Sequence, residues 1–356
     1  MLAAVAGRRF DLRLLSSLTG HGEADLLKKV KELIAIQLVV EEPGDIFAFR
    51  HTLTRQAIYG GLRAEERRQL HETIATTLEE LYTDADISSA NLAYHFYQAE
   101  AWKEAIGHAK RAGEEALAQN APYAALEQFN RAIDAGERLG ALGMSTLFHS
   151  RGQVHDRLGD FEPALTDYAA ALNIAHNERD KEEIWRNLLA LGFLWSGRDY
   201  ERSGAYIQDA LTKARRMENP ALLAQSLNRI GNWHANMEQV EAAHDYHEEA
   251  RLIFVELDDP AGLATTLDLL GTTAYLAGDM LAGIVYYEQA IPYFRQTGDQ
   301  PGLISCLGSY AARGANPFAM VAPPTPISES ERDASEGIQL AQKIGWRAGE
   351  TYVRIM

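Results

Sequence analysis

The chain has 356 residues and 46% of them are hydrophobic, which is enough to bury a large core and argues against disorder. Its 34 Lys and Arg residues and 50 Asp and Glu residues give a formal net charge of -16, so most of the surface is not expected to follow a phosphate backbone. A single cysteine, Cys306, excludes a disulfide framework and a multi-thiolate zinc site, and it fits a reducing, cytoplasmic setting. The apolar runs are too short for a membrane span, so no membrane partner is expected.

Residues 1–62 are predicted to form a small α/β module. Asp25 to Ile36 has the apolar spacing of an amphipathic helix. Residues 38–42 and 46–49 have the composition of two short strands joined by a turn at 43–45, and a further helix begins near Leu53. Helices followed by a hairpin suggest a winged-helix-like module, with residues 63–82 as a connecting helix.

Winged helices also bind DNA, but the charge of this one argues against it. Residues 1–82 contain 11 basic and 12 acidic side chains, and the three lysines between positions 28 and 31 lie among acidic residues. Because DNA binding usually needs a basic stripe, direct nucleic-acid binding is not expected.

Residues 83–356 repeat with a period of about 40 residues, which is the main signal in the sequence. Glycines preceded by apolar residues at helical spacing recur at intervals of 40, 39 and 40 residues: Gly152, Gly192, Gly231 and Gly271. Small residues follow them at regular positions: Ala164, Ala171, Ser203, Ala210, Ala243, Ala250, Gly283 and Ala290.

Each period predicts a pair of packed helices. The motif glycine lets the second helix approach the first, and the pairs Gly159-Asp160 and Gly278-Asp279 are expected to end one helix and cap the next. One pair cannot bury both of its faces, so several pairs must stack.

This pattern resembles the tetratricopeptide repeat in a form of roughly 40 residues. The resemblance implies an all-α fold class, a right-handed superhelical solenoid of about seven units behind the winged-helix-like module. The first helix of the second unit looks fused to the preceding helix. The last unit is interrupted at 313–328, where four prolines prevent a continuous helix, and the chain ends at Met356 inside another first helix, so we expect the natural protein to continue.

A second resemblance covers the N-terminal module. The segments 7–11, 49–59 and 67–71 resemble the region that joins the nucleotide-binding and repeat domains of signal-transducing (STAND-type) ATPases, including large LuxR-type transcriptional regulators. The chain has no Gly-Lys pair and therefore no Walker-A loop. The resemblance implies a sensor part that works with an ATPase domain in cis or in trans.

In related ATPases the winged helix carries a histidine that touches the bound diphosphate. His51 stands where that motif would fall, so the resemblance implies a nucleotide-sensing contact. The alternative is that His51 caps the helix or packs between strand and helix.

The sequence contains no motif that predicts catalysis. No Gly-x-Ser-x-Gly elbow or His-Glu-x-x-His pair occurs. His244 and His247 have a spacing that could seat a metal, but no third ligand can be named and His247 falls at an inward repeat position. We therefore expect no enzyme, no cofactor and no metal site.

Binding is expected along the groove lined by the first helix of each pair. In the tetratricopeptide family, groove positions lie six and three residues before the motif glycine and one and four after it. Among the positions that this rule selects, and with Asn236 extending the polar face, the candidate groove residues are His149, Gln153, Asp156, Arg186, Phe193, Gln225, Asn228, Asn232, Asn236, Asp268, Thr272 and Tyr275.

Asn228, Asn232 and Asn236 form one row of amides that could bind an extended peptide backbone, with Phe193 and Tyr275 as apolar contacts. A hydrated groove without a ligand is the alternative. The family's carboxylate clamp uses lysines at groove positions, and none occurs here.

The predicted function is an interaction and sensor scaffold of a signalling or transcription-regulating ATPase that binds a peptide or protein partner in the groove. Two alternatives stay open: a sensor that encloses a small-molecule inducer, and a stand-alone assembly scaffold.

Overall fold

A computed structural model describes residues 1–44, 46–82, 88–314 and 326–356. The chain divides into two compact units, residues 1–183 and 184–356, and each is described by itself. In the described ranges, no helix combines the length and the apolar character that crossing a membrane requires.

The N-terminal module contains more β-structure than the sequence predicts. Its elements are α1 (Leu2–Ala6), β1 (Arg9–Asp11), α2 (Leu12–Thr19), α3 (Glu23–Ala35), β2 (Val39–Glu42), β3 (Ile46–Phe49) and α4 (Thr52–Gly60). The predicted hairpin is present as β2 and β3, and β1 adds a third antiparallel strand in the order β1-β3-β2. Part of the predicted turn, Asp45, lies outside the described residues.

Strand β1 is too short to show an alternating pattern of polar and apolar residues. Its extended conformation is stabilised by pairing with β3. Phe10 pairs with Phe47 across the two strands, and their rings stack with centroids 6.1 Å apart. Both side chains are buried with Val30 and Val39 in the core of the module. This arrangement is compatible with the winged-helix-like prediction.

The predicted connecting segment is helix α5 (Ala64–Leu81), which packs against α1 and α2 of the module. After it, Tyr82 donates a hydrogen bond of 2.8 Å to the Asp11 carboxylate. Residues 83–87, where the repeat array is predicted to begin, lie outside the described residues.

Five helices complete the first unit: α6 (Ser89–Gln98), α7 (Trp102–Ala118), α8 (Pro122–Leu139), α9 (Ser145–Leu158) and α10 (Phe161–Glu178). Helix α7 packs against both α6 and α8. An added Cβ at Gly113 of α7 would lie 2.7 Å from the Phe129 ring of α8, just as one at Gly152 would lie 2.8 Å from Tyr168. Gly113 precedes Gly152 by 39 residues, so it continues the glycine series, and α7 closes one pair and opens the next.

The second unit is also built of helices. Its helices are α11 (Lys181–Trp195, the first three residues belonging to the first unit), α12 (Tyr200–Ala214), α13 (Pro220–Asn236), α14 (Val240–Glu256), α15 (Pro260–Leu276), α16 (Met280–Thr297), α17 (Gln300–Ala311), α18 (Ile327–Lys343) and α19 (Arg347–Ile355). Helices α13 and α15 begin with proline directly after Asn219 and Asp259, whose side chains accept hydrogen bonds from the first turn.

The motif glycines of this unit have the packing role expected of them. An added Cβ would lie 2.6 Å from the His247 ring at Gly231 and 2.8 Å from the Tyr287 ring at Gly271. His247 therefore occupies the position that a tyrosine or phenylalanine fills in other pairs, which confirms that it points inward.

The two predicted Gly-Asp caps differ. Gly278 has a left-handed backbone conformation, with a φ of 79°. The carboxylate of Asp279 accepts a hydrogen bond from the Ala282 N–H. Gly159 has the same φ, but the prediction is wrong for the Asp160 side chain, which makes no capping bond. Its carboxylate lies 3.6 Å from the His155 ring instead.

The C-terminal end of the array is helical. Residues 315–325 of the predicted interruption lie outside the described residues, and α18 begins at Ile327, inside the predicted break. The helix predicted near Gly345 is present as α19, which packs on α17 through a 2.8 Å hydrogen bond between Tyr352 and Ser309. The fold class, a tetratricopeptide-like helical array behind a small α/β module, is confirmed.

Candidate partner-binding groove

Helix α13 presents its polar residues along one face. Gln225, Asn228, Asn232 and Asn236 are three or four residues apart, which places them on neighbouring turns of the same side. Two cavities lie along this face, and the same three residues, Leu189, Arg229 and Asn232, line both of them.

The larger cavity, called the α13–α15 cavity below, has a volume of about 420 Å³. Its lining residues are Leu189, Gln225, Asn228, Arg229, Asn232, Phe254, Asp259, Ala261, Gly262, Thr265 and Leu269. The mixture of amides and apolar side chains could hold both the backbone and the side chains of a ligand.

Asn228 is fixed at the edge of this cavity by buried partners. Its Nδ2 donates to Thr266 Oγ1 at 2.8 Å, and its Oδ1 lies 3.3 Å from His247 Nδ1. Burial, with a smaller contribution from His244, lowers the pKa of His247 to about 4, so this histidine is neutral near pH 7. Asn228 is buried, and half of its hydrogen-bonding capacity is used inside the protein, whereas Asn232 and Asn236 are more accessible.

The smaller cavity, called the α11–α13 cavity, has a volume of about 130 Å³ and includes Phe193, Asn232, Trp233 and Asn236. Phe193 is 63% exposed, which is unusual for an aromatic side chain. Trp233 stacks on Tyr200 and donates from Nε1 to the Tyr200 carbonyl at 2.9 Å, so it forms a rigid wall. The structure thus brings Phe193 beside the amide row.

Arg229 lines both cavities, and the sequence rule misses it. The rule counts six and three residues before the motif glycine, and Arg229 lies two before Gly231. A signal was present in the sequence, because Arg229 is the one Asp, Glu, Lys or Arg residue between Pro220 and Asn236.

The three predicted residues of α15 take part in helix packing. Thr272 Oγ1 lies 3.0 Å from the Tyr287 hydroxyl, and the Tyr275 ring meets the Tyr287 ring edge-on. The Asp268 carboxyl adjoins the Cys306 thiol; burial raises its pKa to about 7, and Cys306 partly offsets this shift. The Asp268 Oδ1 and Tyr275 hydroxyl atoms are buried without a partner among the described residues.

The remaining predicted groove residues do not line either of the two cavities. In the first unit, His149 is buried with its Nε2 3.1 Å from the Gln153 amide nitrogen, Gln153 is exposed, and burial raises the pKa of Asp156. Arg186, in the second unit, is half-buried in the first half of α11.

His51 is exposed at the residue that precedes α4, and its side chain makes no capping hydrogen bond among the described residues. Among the described residues, no group of three or more His, Cys, Asp or Glu side chains could hold a metal ion. His244 is on the surface and His247 is buried, which agrees with the inward repeat position predicted for His247.

No protein-family model matches the sequence. A comparison with curated protein sequences likewise finds no match.

Similar solved structures do exist. Aspartyl phosphate phosphatase F from Bacillus subtilis is 14% identical, with a TM-score of 0.54 over 97% of this chain and 91% of that chain. The Rap conjugation gene regulator of the plasmid pLS20, solved in complex with a peptide, is 14% identical, with a TM-score of 0.52 over 99% of this chain and 93% of that chain. A STAND protein with a tetratricopeptide repeat sensor from Pyrococcus horikoshii is 13% identical, with a TM-score of 0.51; the match covers 99% of this chain and 58% of that chain. At these identities the likeness establishes the fold alone, a tetratricopeptide-like array of helices.

Proposed function

We propose that the chain is a sensor scaffold that binds a peptide or protein segment along the α13 face of the second unit. The observation that carries this proposal is the row of amides that runs past two cavities and ends beside the exposed ring of Phe193. One structure of similar fold, the Rap regulator of pLS20, was solved with a peptide bound, which supports the proposal by analogy of fold.

The chemistry of the face suits an extended backbone. Carboxamides donate and accept, so Asn232 and Asn236 can pair with peptide N–H and C=O groups in either direction. The two cavities then receive ligand side chains, and Phe193 supplies an apolar contact. Because Asn228 is tied to Thr266 and His247, the face is pre-organised, which reduces the entropy lost on binding.

We further propose that binding is relayed to an ATPase domain in cis or in trans, as the resemblance of the N-terminal module implies. The likeness to the STAND protein over 99% of this chain supports the same context. A ligand that binds one arrangement of the array better than another shifts the population toward it. The chain itself is proposed to have no catalytic activity, so purified protein should not turn over a substrate unaided.

The peptide proposal can be tested by selecting a random decapeptide library, displayed on messenger RNA, against the immobilised full chain. Enriched peptides are expected, and Asn232→Ala with Asn236→Ala should weaken their binding about tenfold, because two backbone hydrogen bonds are lost. Fluorescence anisotropy with a labelled enriched peptide measures the change.

The control is Gln208→Ala, which removes an exposed amide on α12 outside both cavities. It should leave binding unchanged. Absence of enriched peptides, or equal binding by the double variant and the native chain, contradicts the proposal. In the first case, a thermal-shift screen against metabolites would test the small-molecule alternative.

A further inference from the structure

Arg229 stands where the two cavities meet, since it lines both. It is exposed at the middle of α13, and its guanidinium has no ion pair or hydrogen bond with any described residue. Other arginines of the same unit pair with carboxylates: Arg251 with Glu248, Arg295 with Glu336 and Arg313 with Asp333. A chain with 50 acidic and 34 basic residues thus leaves this cation unpaired at the centre of its candidate groove.

Arg229 forms no ion pair with the acidic residue that lines its cavity. Asp259 lines the same cavity, but its Oδ1 accepts the N–H groups of Ala261 and Gly262, each at 3.0 Å, and it forms no ion pair with Arg229. The rest of the α13–α15 cavity wall is uncharged. A cation that has no ion pair in such a cavity attracts an opposite charge from a ligand.

The neighbouring side chains add hydrogen-bond donors. Gln225 and Asn232 lie one turn before and about one turn after Arg229, line the same cavity, and carry N–H₂ groups. A guanidinium presents a planar fork of N–H donors that matches the two oxygens of a carboxylate. The cavity therefore offers a cation flanked by neutral donors, which suits a carboxylate better than a backbone amide.

From this arrangement we infer that Arg229 binds a carboxylate of the peptide ligand and so selects acidic peptides. The inference rests on the proposed function, because it names the ligand chemistry of the same groove. The carboxylate is that of an Asp or Glu side chain. Arg229 supplies the cation, although no lysine occupies the predicted groove positions.

The random decapeptide library tests the inference when it is selected in parallel against the native chain and the Arg229→Gln, Arg229→Glu and Arg216→Gln variants. Arg216→Gln is the matched control, because it removes the same charge from an exposed arginine outside both cavities. The native chain and this control should enrich Asp and Glu. Arg229→Gln should lose that preference, and Arg229→Glu should replace it with a preference for Lys and Arg.

Synthetic versions of the enriched peptide test the side-chain carboxylate directly. Replacing its acidic residue by the corresponding amide should weaken native binding about tenfold and leave binding by Arg229→Gln unchanged. If amidation of the peptide's C-terminus weakens binding and the side-chain replacement does not, the inference of a side-chain carboxylate is overturned. Circular dichroism of each variant confirms that the helices are intact.

Enriched peptides without acidic residues, or an Arg229→Gln variant that keeps the acidic preference, would overturn the inference and leave peptide binding standing. A native chain that enriches no peptide at all would instead count against the proposed function on which the inference rests.

Discussion

Asp268 is a carboxylic acid placed where its charged form is disfavoured. It lies on α15 beside the Cys306 thiol, its Oδ1 is buried without a partner among the described residues, and burial raises its pKa to about 7. An unfolded aspartate titrates near 3.9. The stability that this group contributes is therefore present below about pH 4 and is lost as the pH rises through 7.

Asp268→Asn should accordingly stabilise the protein more at pH 8 than at pH 5, because asparagine imitates the protonated acid and most of the loss falls between these two pH values. The ceiling set by a shift of about three pKa units is roughly 4 kcal/mol, and the partial exposure of the residue reduces the expected gain to about 1–2 kcal/mol. Thermal unfolding of both proteins at the two pH values measures it. An equal effect at pH 5 and pH 8 would show that Asp268 is not the titrating group.

Burial at Asn228 could not be foreseen from its position in the repeat. The groove rule places it with Asn232, yet its amide is held by Thr266 and His247, which come from two other helices. Arg229 is the opposite case, a residue that the groove rule omits although it lines both cavities. Its position could not be foreseen because the two cavities include residues of α11, α13 and α15. Sequence spacing predicts the side of a helix, and only packing decides which polar groups remain available.

At the scale of elements, α7 has two glycines with different surroundings. An added Cβ at Gly107 would have no atom within 4 Å, whereas one at Gly113 would lie 2.7 Å from the Phe129 ring. Gly107 therefore only lowers the helix propensity of an exposed face, whereas Gly113 allows the Phe129 ring of α8 to pack closely on α7.

The same substitution should therefore have opposite effects at the two positions. Gly107→Ala is expected to stabilise the protein by about 0.5–1 kcal/mol, because alanine loses less backbone entropy in a helix. Gly113→Ala is expected to destabilise it by about 1–3 kcal/mol, because the phenylalanine ring must move. Urea unfolding followed by circular dichroism measures both changes, and a stabilising Gly113→Ala would contradict the role of α7 as the opening helix of the second pair.

The elements themselves were largely predictable. The 40-residue glycine period and the hairpin at residues 38–49 follow from spacing and composition, and both are present. Strand β1 was not predictable, because three residues carry no period and the strand is ordered by pairing with β3. Gly113 was missed because the first helix of its pair is also the second helix of the pair before it.

At the scale of the whole molecule, each helix is expected to be stabilised mainly by its neighbours in the sequence. The main helix contacts join neighbours in the sequence, such as α13 with α14 and α15 with α16. Repeat proteins of this kind sum the stability of each unit and of its interfaces, so cooperativity is limited.

Urea unfolding should therefore not follow a single two-state curve. We expect the helical signal and tryptophan emission to give different midpoints, because helices cover the described chain while the five tryptophans occupy a few positions. Gly113→Ala should shift only the part of the helical signal that belongs to its own pairs. Coincident curves for both probes, displaced as a whole by that substitution, would show that the array unfolds as one body.

Helix α7 limits how the array could be rearranged. Tandem repeats are commonly gained, lost or grafted as complete pairs, since a cut in a connecting loop leaves both products intact. Between the first two pairs here no such loop exists, because one helix serves both. A deletion that removes the first pair would also take the opening helix of the second, so we expect that these two pairs have to be engineered as a single block.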